Sequence, residues 1–216
     1  MTITLREPGS ALTHLAGAVM AVMASAPLLI KAAEGGGLPA FAAMAVFMGS
    51  MFLLYSASTI YHTVTIKADL LETFRKLDHM MIFVLIAGSY TPVYLLKLSG
   101  TKGTVLLIAI WTLAVIGMTV KYIWINCPKW FSSVIYIGLG WTCLFIMPDL
   151  AASLPVGAFV WLLAGGIVYT AGGVIYALKL PLFKQRPWFG NHELFHLFVL
   201  GGSICHYICM YFYLLD

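Results

Sequence analysis

The sequence predicts an all-α membrane protein, folded as a seven-transmembrane helix bundle. Of its 216 residues, 62% are hydrophobic and only 9% are charged, whereas an ordinary soluble domain carries about 25% charged residues. Its apolar segments have about the 20 residues that a helix needs to cross a hydrocarbon core of ~30 Å. A helix also satisfies its own backbone hydrogen bonds in lipid. These observations exclude the common soluble classes.

Seven apolar segments follow one another, and we expect them to form one membrane domain over residues 1–216. The breaks between them contain residues that end helices, such as the glycines at 35–37 with Pro39, and Pro155 before the sixth segment. The fifth segment is short and ends at Pro148 and Asp149. The predicted helices cover residues 11–31, 40–62, 79–98, 104–125, 132–149, 156–178 and 193–215.

The charges of the loops predict the orientation of the bundle. With a cytoplasmic N-terminus, the inside segments carry nine Lys and Arg residues and the outside loops carry three. Because positive residues concentrate on the cytoplasmic side, the N-terminus is predicted inside and the C-terminus outside. A net charge of +4 spread over such loops does not indicate a nucleic-acid partner. The expected partners are membrane lipids.

A pair of histidines, His192 and His196, stands at the start of the seventh helix. Residues four apart share one helix face, and this spacing is a familiar way for a helix to hold a metal ion. The predicted topology brings His62, at the end of the second helix, to the same cytoplasmic layer. It also places Asp78 there, in the first turn of the third helix. The alternative interpretation of the pair is two interfacial histidines bonded to neighbouring groups.

Three neutral imidazoles with an open fourth position are typical of a catalytic zinc site, where bound water has a pKa lowered toward ~7. Asp78 is then a candidate base, and Ser58, one turn before His62, is a candidate hydrogen-bonding partner of the water or substrate. Each has a structural alternative, because an acidic first-turn residue complements the helix dipole and a serine can bond its own helix. Imidazole also suits divalent metals other than zinc.

Two further histidines fall outside this set. His14, at the cytoplasmic end of the first helix, lies at the right depth and is a reserve fourth candidate, interpreted as a supporting or structural group. His206 lies roughly 15 Å beyond His196 along the helix. It is too far to join the same metal, so we interpret it as a core histidine.

Four short motifs occur at the ends of these helices: EPGSALTHL at 7–15, STIYHT at 58–63, KLDH at 76–79 and HELFH at 192–196. In this order they resemble the bacterial hemolysin III-type members of the progestin and adipoQ receptor family, to which the adiponectin receptors belong. The resemblance extends from Glu7 to about Tyr211. One departure is Ser10, where the family usually has Asn.

The resemblance implies zinc held by His62, His192 and His196, with Asp78 on the zinc-bound water and Ser58 beside it. It implies a multi-pass protein of the bacterial plasma (inner) membrane. Receptor relatives are linked to hydrolysis of lipid amides such as ceramide, and bacterial members to membrane homeostasis.

Two classes of function are expected from these residues and this resemblance. The first is a zinc-dependent intramembrane hydrolase of a lipid amide or ester. The second is a non-enzymatic sensor or regulator of membrane lipid with a structural zinc. An open fourth position favours the hydrolase, whereas direct coordination by Asp78 would close the site and favour the sensor.

Overall fold

Every named element in the described part of the chain is a helix, which confirms the all-α class. The structure, a computed structural model, describes residues 5–98, 100–179, 186 and 188–215. Numbered in chain order, the helices are α1 (Pro8–Thr63), α2 (Ala68–Leu96), α3 (Gly100–Ile123), α4 (Lys129–Gly140), α5 (Met147–Ser153), α6 (Val156–Leu178) and α7 (Asn191–Cys209).

Six helical stretches among the described residues are long and apolar enough to cross a membrane. The difference from the predicted seven lies in α1, which contains both of the first two predicted helices. The six stretches are Pro8–Thr63, Ala68–Leu96, Gly100–Ile123, Lys129–Ser153, Val156–Leu178 and Asn191–Leu214.

The long helix α1 consists of two helices joined at one residue. As a straight rod its 56 residues would measure about 84 Å, far more than a hydrocarbon core of ~30 Å. Gly37 alone leaves the helical conformation, with φ 61° and ψ −157°, a region that glycine adopts without strain. The N-terminal half is residues 8–36 and the C-terminal half is residues 38–63. The predicted break was therefore too wide, because the glycines before Gly37 remain helical.

The two halves of α1 lie antiparallel, so that its first and last residues meet. The backbone N–H of Glu7 donates to the carbonyl of His62 at 3.0 Å. Further into the bundle, the rings of His14 and Tyr55 meet edge to face with centroids 5.2 Å apart. This hairpin places the start of the chain beside His62.

The helix α2 begins much earlier than the predicted 79–98. It starts at Ala68, so Asp78 lies about three turns into the helix and not in its first turn. The charged residues between positions 68 and 77 interrupt the apolar run, but they do not interrupt the helix. Because the helix dipole acts within the first turn, the dipole interpretation of Asp78 does not apply.

The fifth predicted helix, 132–149, is interrupted. It is divided into α4, a 3₁₀ segment Thr142–Ile146 and α5, because the ring of Pro148 cannot continue a helix from the preceding turn. The side chain of Tyr90 on α2 forms hydrogen bonds with two backbone groups at this interruption. Its hydroxyl donates to the carbonyl of Gly140 at 2.5 Å and accepts from the N–H of Cys143 at 3.2 Å.

The remaining helices differ from the predicted bounds by a few residues. α3 begins and ends slightly earlier than 104–125, and α6 has the predicted bounds. α7 begins at Asn191 and continues as a π-helical turn, Met210–Leu214. The connection predicted from Pro181 to Gly190 lies mostly outside the described residues.

Candidate metal centre

The structure brings the three predicted metal ligands together. His62 comes from the last turn of α1, and His192 and His196 come from the first two turns of α7. One side-chain nitrogen from each lies within 4.8 Å of the other two. His62 and His196 are almost fully buried, with 1% and 2% of their surface exposed. Residues far apart in the sequence therefore form one buried cluster that can hold a metal ion.

The chemistry of this cluster fits zinc. The Nε2 atoms of His62 and His192 are 3.2 Å apart, which is hydrogen-bond distance when one nitrogen carries a proton. It is also close to the separation of about 3.3 Å between two nitrogens bound to a tetrahedral zinc at about 2.0–2.1 Å. Imidazole nitrogens are suitable zinc ligands, so the donor set of all three residues and the spacing of this one pair agree with zinc.

Glu7 orients His62, a role that the sequence did not predict. Its carboxylate is hydrogen-bonded to Nδ1 of His62, which leaves Nε2 directed at the cluster. A carboxylate behind a metal-binding histidine fixes the ring and raises its basicity. The hydrogen bond to His62 also lowers the pKa of the Glu7 carboxyl below its usual range. Glu7 belongs to the motif at 7–15, but local spacing does not connect it with His62.

Thr13 orients His196, as Glu7 orients His62, through the Nδ1 atom of the ring. Its hydroxyl lies 3.1 Å from Nδ1 of His196 and bonds the carbonyls of Gly9 and Ser10 at 3.0 and 2.9 Å. A hydroxyl has one hydrogen, and with that hydrogen directed at a carbonyl its oxygen accepts from Nδ1–H. The unprotonated Nε2 of His196 is then the nitrogen left to bind a metal.

Ser10 joins α1 to α7. Its hydroxyl donates to the carboxylate of Glu193, which also accepts the backbone N–H of Gly190 at 2.8 Å. Glu193 thereby caps the start of α7 and fixes it against α1. The departure from the family pattern at Ser10 therefore lies in a contact that positions the histidine pair.

The two predicted catalytic residues lie near the cluster and outside its ligand set. Asp78 is 8% exposed and lines the same cavity as His192 and His196. The ligand atoms grouped among the described residues come from the three histidines and not from Asp78. Ser58 is fully buried, and its hydroxyl lies beside the carboxyl of Asp78, although without the geometry of a full hydrogen bond. The alternative interpretation of Ser58, a hydrogen bond to its own helix, is not seen in the structure.

His14 and His206 differ in their distance from the cluster. His14 stacks on His196 with ring centroids 3.5 Å apart and an angle of 10° between the planes. Its nitrogens have no partner in the described part of the chain. His206 packs edge to face on Tyr169 at 5.3 Å, and its Nε2 faces the carbonyl of Leu162 at 3.4 Å. His206 is therefore a core histidine outside the metal-ligand group.

A cavity of about 230 Å³ extends from the cluster into the bundle. Its polar end includes Asp78, His192 and His196, and Val93 lines it further along α2. The 15 residues from Asp78 to Val93 span roughly 22 Å of helix. Beyond the polar end the wall is largely apolar and includes Leu85, Leu150 and Phe159. This shape suits an amphiphile with its polar group beside the histidines.

These features define a multi-pass helical membrane protein with a buried three-histidine cluster at one end of its bundle. Residues 3–207 match the family described as haemolysin-III related. The chain therefore belongs to the haemolysin-III related family.

Similar proteins agree with this assignment. The chain is 38% identical to Hemolysin-3 from Bacillus cereus, over 97% of this chain and 92% of that protein. It is 37% identical to a Hemolysin-3 homolog from Bacillus subtilis, over 96% and 93%. Progestin and adipoQ receptor-like protein 1 from Caenorhabditis elegans is 26% identical, over 93% of this chain and 50% of that protein. No solved structure matches. The predicted resemblance is confirmed.

Proposed function

We propose that this protein is a zinc-dependent, ceramidase-like hydrolase of a lipid amide or ester, located in the plasma membrane of a bacterium and contributing to membrane homeostasis. The observation that supports this most is the buried cluster of His62, His192 and His196 at the polar end of a long apolar cavity. These three residues would hold the zinc. When bound, zinc supplies a Lewis acid that polarises a carbonyl and acidifies water.

In this proposal Asp78 transfers the proton. Its carboxylate lies in the wall of the cavity that the histidines also line. It accepts a proton from the attacking water and returns it to the departing amine or alcohol. The buried hydroxyl of Ser58, which lies beside Asp78, would donate to the carboxylate of Asp78 or to the substrate carbonyl. The apolar length of the cavity holds the acyl chain and excludes water from it.

We also propose that the chain crosses the membrane seven times, with a cytoplasmic N-terminus and an outside C-terminus. The halves of α1, residues 8–36 and 38–63, are each longer than the ~20 residues that a crossing needs. Together with the other five apolar stretches they make seven crossings. The excess of positive residues in the predicted inside segments supports this orientation. The histidine cluster then lies at the cytoplasmic end.

The test uses the full-length protein purified in detergent, with zinc content and hydrolysis of ceramides and phospholipids measured on the same sample. His62→Ala and His196→Ala should each remove zinc. His206→Ala is the matched control, because it removes an imidazole from the same helix as His196 but outside the cluster. Asp78→Asn should keep zinc and lose turnover, because the carboxylate acts as a base and not as a ligand.

Each part of the proposal has its own contradicting outcome. Zinc retained in both His62→Ala and His196→Ala would overturn the ligand assignment. Zinc lost in Asp78→Asn would make Asp78 a ligand. Stoichiometric zinc with no turnover on any lipid would favour a non-enzymatic membrane-lipid sensor, in which zinc joins α1 to α7.

A further inference from the structure

A second cluster of polar side chains lines the cavity where α3 meets α4. Lys121, in the last turn of α3, has 1% of its surface exposed. Its Nζ donates to Oγ of Ser132 at 2.9 Å and to Sγ of Cys127 at 3.3 Å. All three residues line the cavity, and we call them the lysine cluster.

The charge of Lys121 is not matched by a carboxylate. The ion pairs found among the described residues do not include Lys121. An ammonium group has three N–H donors. For Lys121, Oγ of Ser132 accepts one of them and Sγ of Cys127, a weak acceptor, accepts another. A buried charge is costly unless it is paired and hydrogen-bonded. The cluster therefore has both a positive charge and a donor left for a ligand.

Other charges at this end of the cavity have the same sign. Arg75 and Lys129 also line it, and Asp78 is the one carboxylate among its described lining residues. Arg75 donates to the side-chain carbonyl of Asn126 at 2.9 Å. The Nζ of Lys129 lies 4.3 Å from the ring centroid of Tyr176. Neither contact neutralises a cation, so three cations face one carboxylate here, and an excess of one sign of charge in a cleft attracts the opposite sign.

The register of α2 against α3 places the lysine cluster at the histidine end of the cavity. The Nζ of Lys76 lies 5.2 Å from the ring centroid of Tyr122. A side chain at Gly117 would collide with the ring of Phe83. Because α2 and α3 run antiparallel between these two contacts, Lys121 is level with residues 77–79. An anion at Lys121 would thus lie at the depth of the proposed catalytic carboxylate on α2.

We propose that the lysine cluster is an anion-binding subsite that takes the carboxylate or phosphate of an amphiphile, with the apolar chain of that amphiphile in the cavity. Binding at this subsite does not require hydrolysis. Where the proposal concerns the substrate of the enzyme, it rests on the proposed function. It then specifies a lipid amide or ester with an anionic group near the scissile bond, of which an N-acyl amino acid is the simplest amide. A neutral ceramide would leave the charge of Lys121 unmatched.

The test measures binding of labelled dodecanoate, dodecyl phosphate and dodecanol to the full-length protein in a neutral detergent, by equilibrium dialysis. The wild type should bind both anionic probes at least about tenfold more tightly than dodecanol, the range expected for a hydrogen bond to a charged group. Lys121→Gln should lose about tenfold for the anionic probes and nothing for dodecanol. The control is Lys76→Gln, since Lys76 lies at the same depth but pairs with Glu72 at 2.9 Å.

Three outcomes would overturn the proposal. The first is equal binding of all three probes by the wild type. This result does not depend on the folding of any variant. Inorganic phosphate that binds as tightly as dodecyl phosphate would indicate a free-anion site with no place for the chain. Loss of anion binding after metal removal with a chelator would assign the anion to the histidine cluster. Retained, Lys121-dependent binding in the chelated protein supports the subsite even where no lipid is hydrolysed.

Discussion

Replacing Glu7 with glutamine would remove the negative charge behind His62 and keep a side chain of nearly the same size. The carboxylate of Glu7 is hydrogen-bonded to Nδ1 of His62, and the other ring nitrogen faces the cluster. Without that charge, Nε2 becomes a weaker donor to a metal ion and the ring is held less firmly. We expect Glu7→Gln to bind zinc more weakly than the wild type.

The size of the loss follows from the exposure of the pair. Removing a partner behind a metal ligand typically lowers metal affinity by about 10- to 100-fold, or about 1.4 to 2.8 kcal/mol at about 1.4 kcal/mol per tenfold. The Glu7 side chain is 45% exposed, whereas that of His62 is 2% exposed. Water therefore screens part of the interaction, and the glutamine carbonyl can still accept from Nδ1–H. We expect the lower limit, a loss of about tenfold.

The assay is the zinc dissociation constant of the purified protein, measured by competition with a chromophoric chelator. The matched control is Glu72→Gln on α2, because Glu72 is 50% exposed and pairs with Lys76 instead of a histidine. It removes the same charge at similar exposure and should leave zinc affinity unchanged. Equal dissociation constants for both variants and the wild type, with all three folded, would refute the role of Glu7 in supporting His62.

Two further predictions concern the backbone, and thermal unfolding in detergent measures both. Gly37→Ala should lower stability by about 1–3 kcal/mol, because alanine is strained at a φ of 61°. The control is Gly49→Ala, where the added Cβ meets no atom within 4 Å, so stability should be unchanged or higher. Equal stability of the two variants would contradict the strain expected at Gly37. Tyr90→Phe should cost about 1–3 kcal/mol, because two backbone groups at the break after α4 lose their partner. The control is Tyr94→Phe, whose phenol makes none of the hydrogen bonds found in the described residues, and a similar loss in both variants would argue against the role of the Tyr90 hydroxyl.

Composition was sufficient to predict the fold class. The ends of the helices could not be predicted from the apolar segments, because they depend on contacts between helices. An apolar segment marks the part of a helix that faces lipid. It therefore missed the first eleven residues of α2, whose charges at Asp69, Glu72 and Arg75 leave the helix intact. It also separated the halves of α1 by several residues, although Gly37 alone leaves the helical conformation. The sequence alone does not tell which of the three successive glycines turns the chain.

The histidine cluster was predictable, and the residues that orient its members were not. His192 and His196 are four apart on one helix, so their shared face follows from helix geometry alone. Glu7 meets His62 across 55 positions, and Thr13 meets His196 across 183. These contacts exist because the hairpin of α1 packs against the start of α7. No local pattern encodes them.

The environment of Lys121 was predicted wrongly, because the count of positive residues treated it as a loop residue. It was counted among the nine inside charges that predict orientation, but the structure buries it in the last turn of α3. Without it the count is eight against three, and the predicted orientation is unchanged. Charge counting could not distinguish a lysine at the surface from one in the cavity wall, because its partners Cys127 and Ser132 lie beyond the end of its own helix.

The two groups of functional side chains are held by different pairs of helices. The histidines and the residues that orient them come from α1 and α7, with Ser10 and Glu193 joining the two. Asp78 and Lys121 come from α2 and α3, whose register is fixed where the ring of Phe83 packs on Gly117. A metal bound to the histidines would therefore link α1 to α7, whereas Asp78 and Lys121 lie outside that ligand group. The proposed zinc site and the proposed anion site can therefore be tested by separate substitutions, one set on α1 and α7 and the other on α2 and α3.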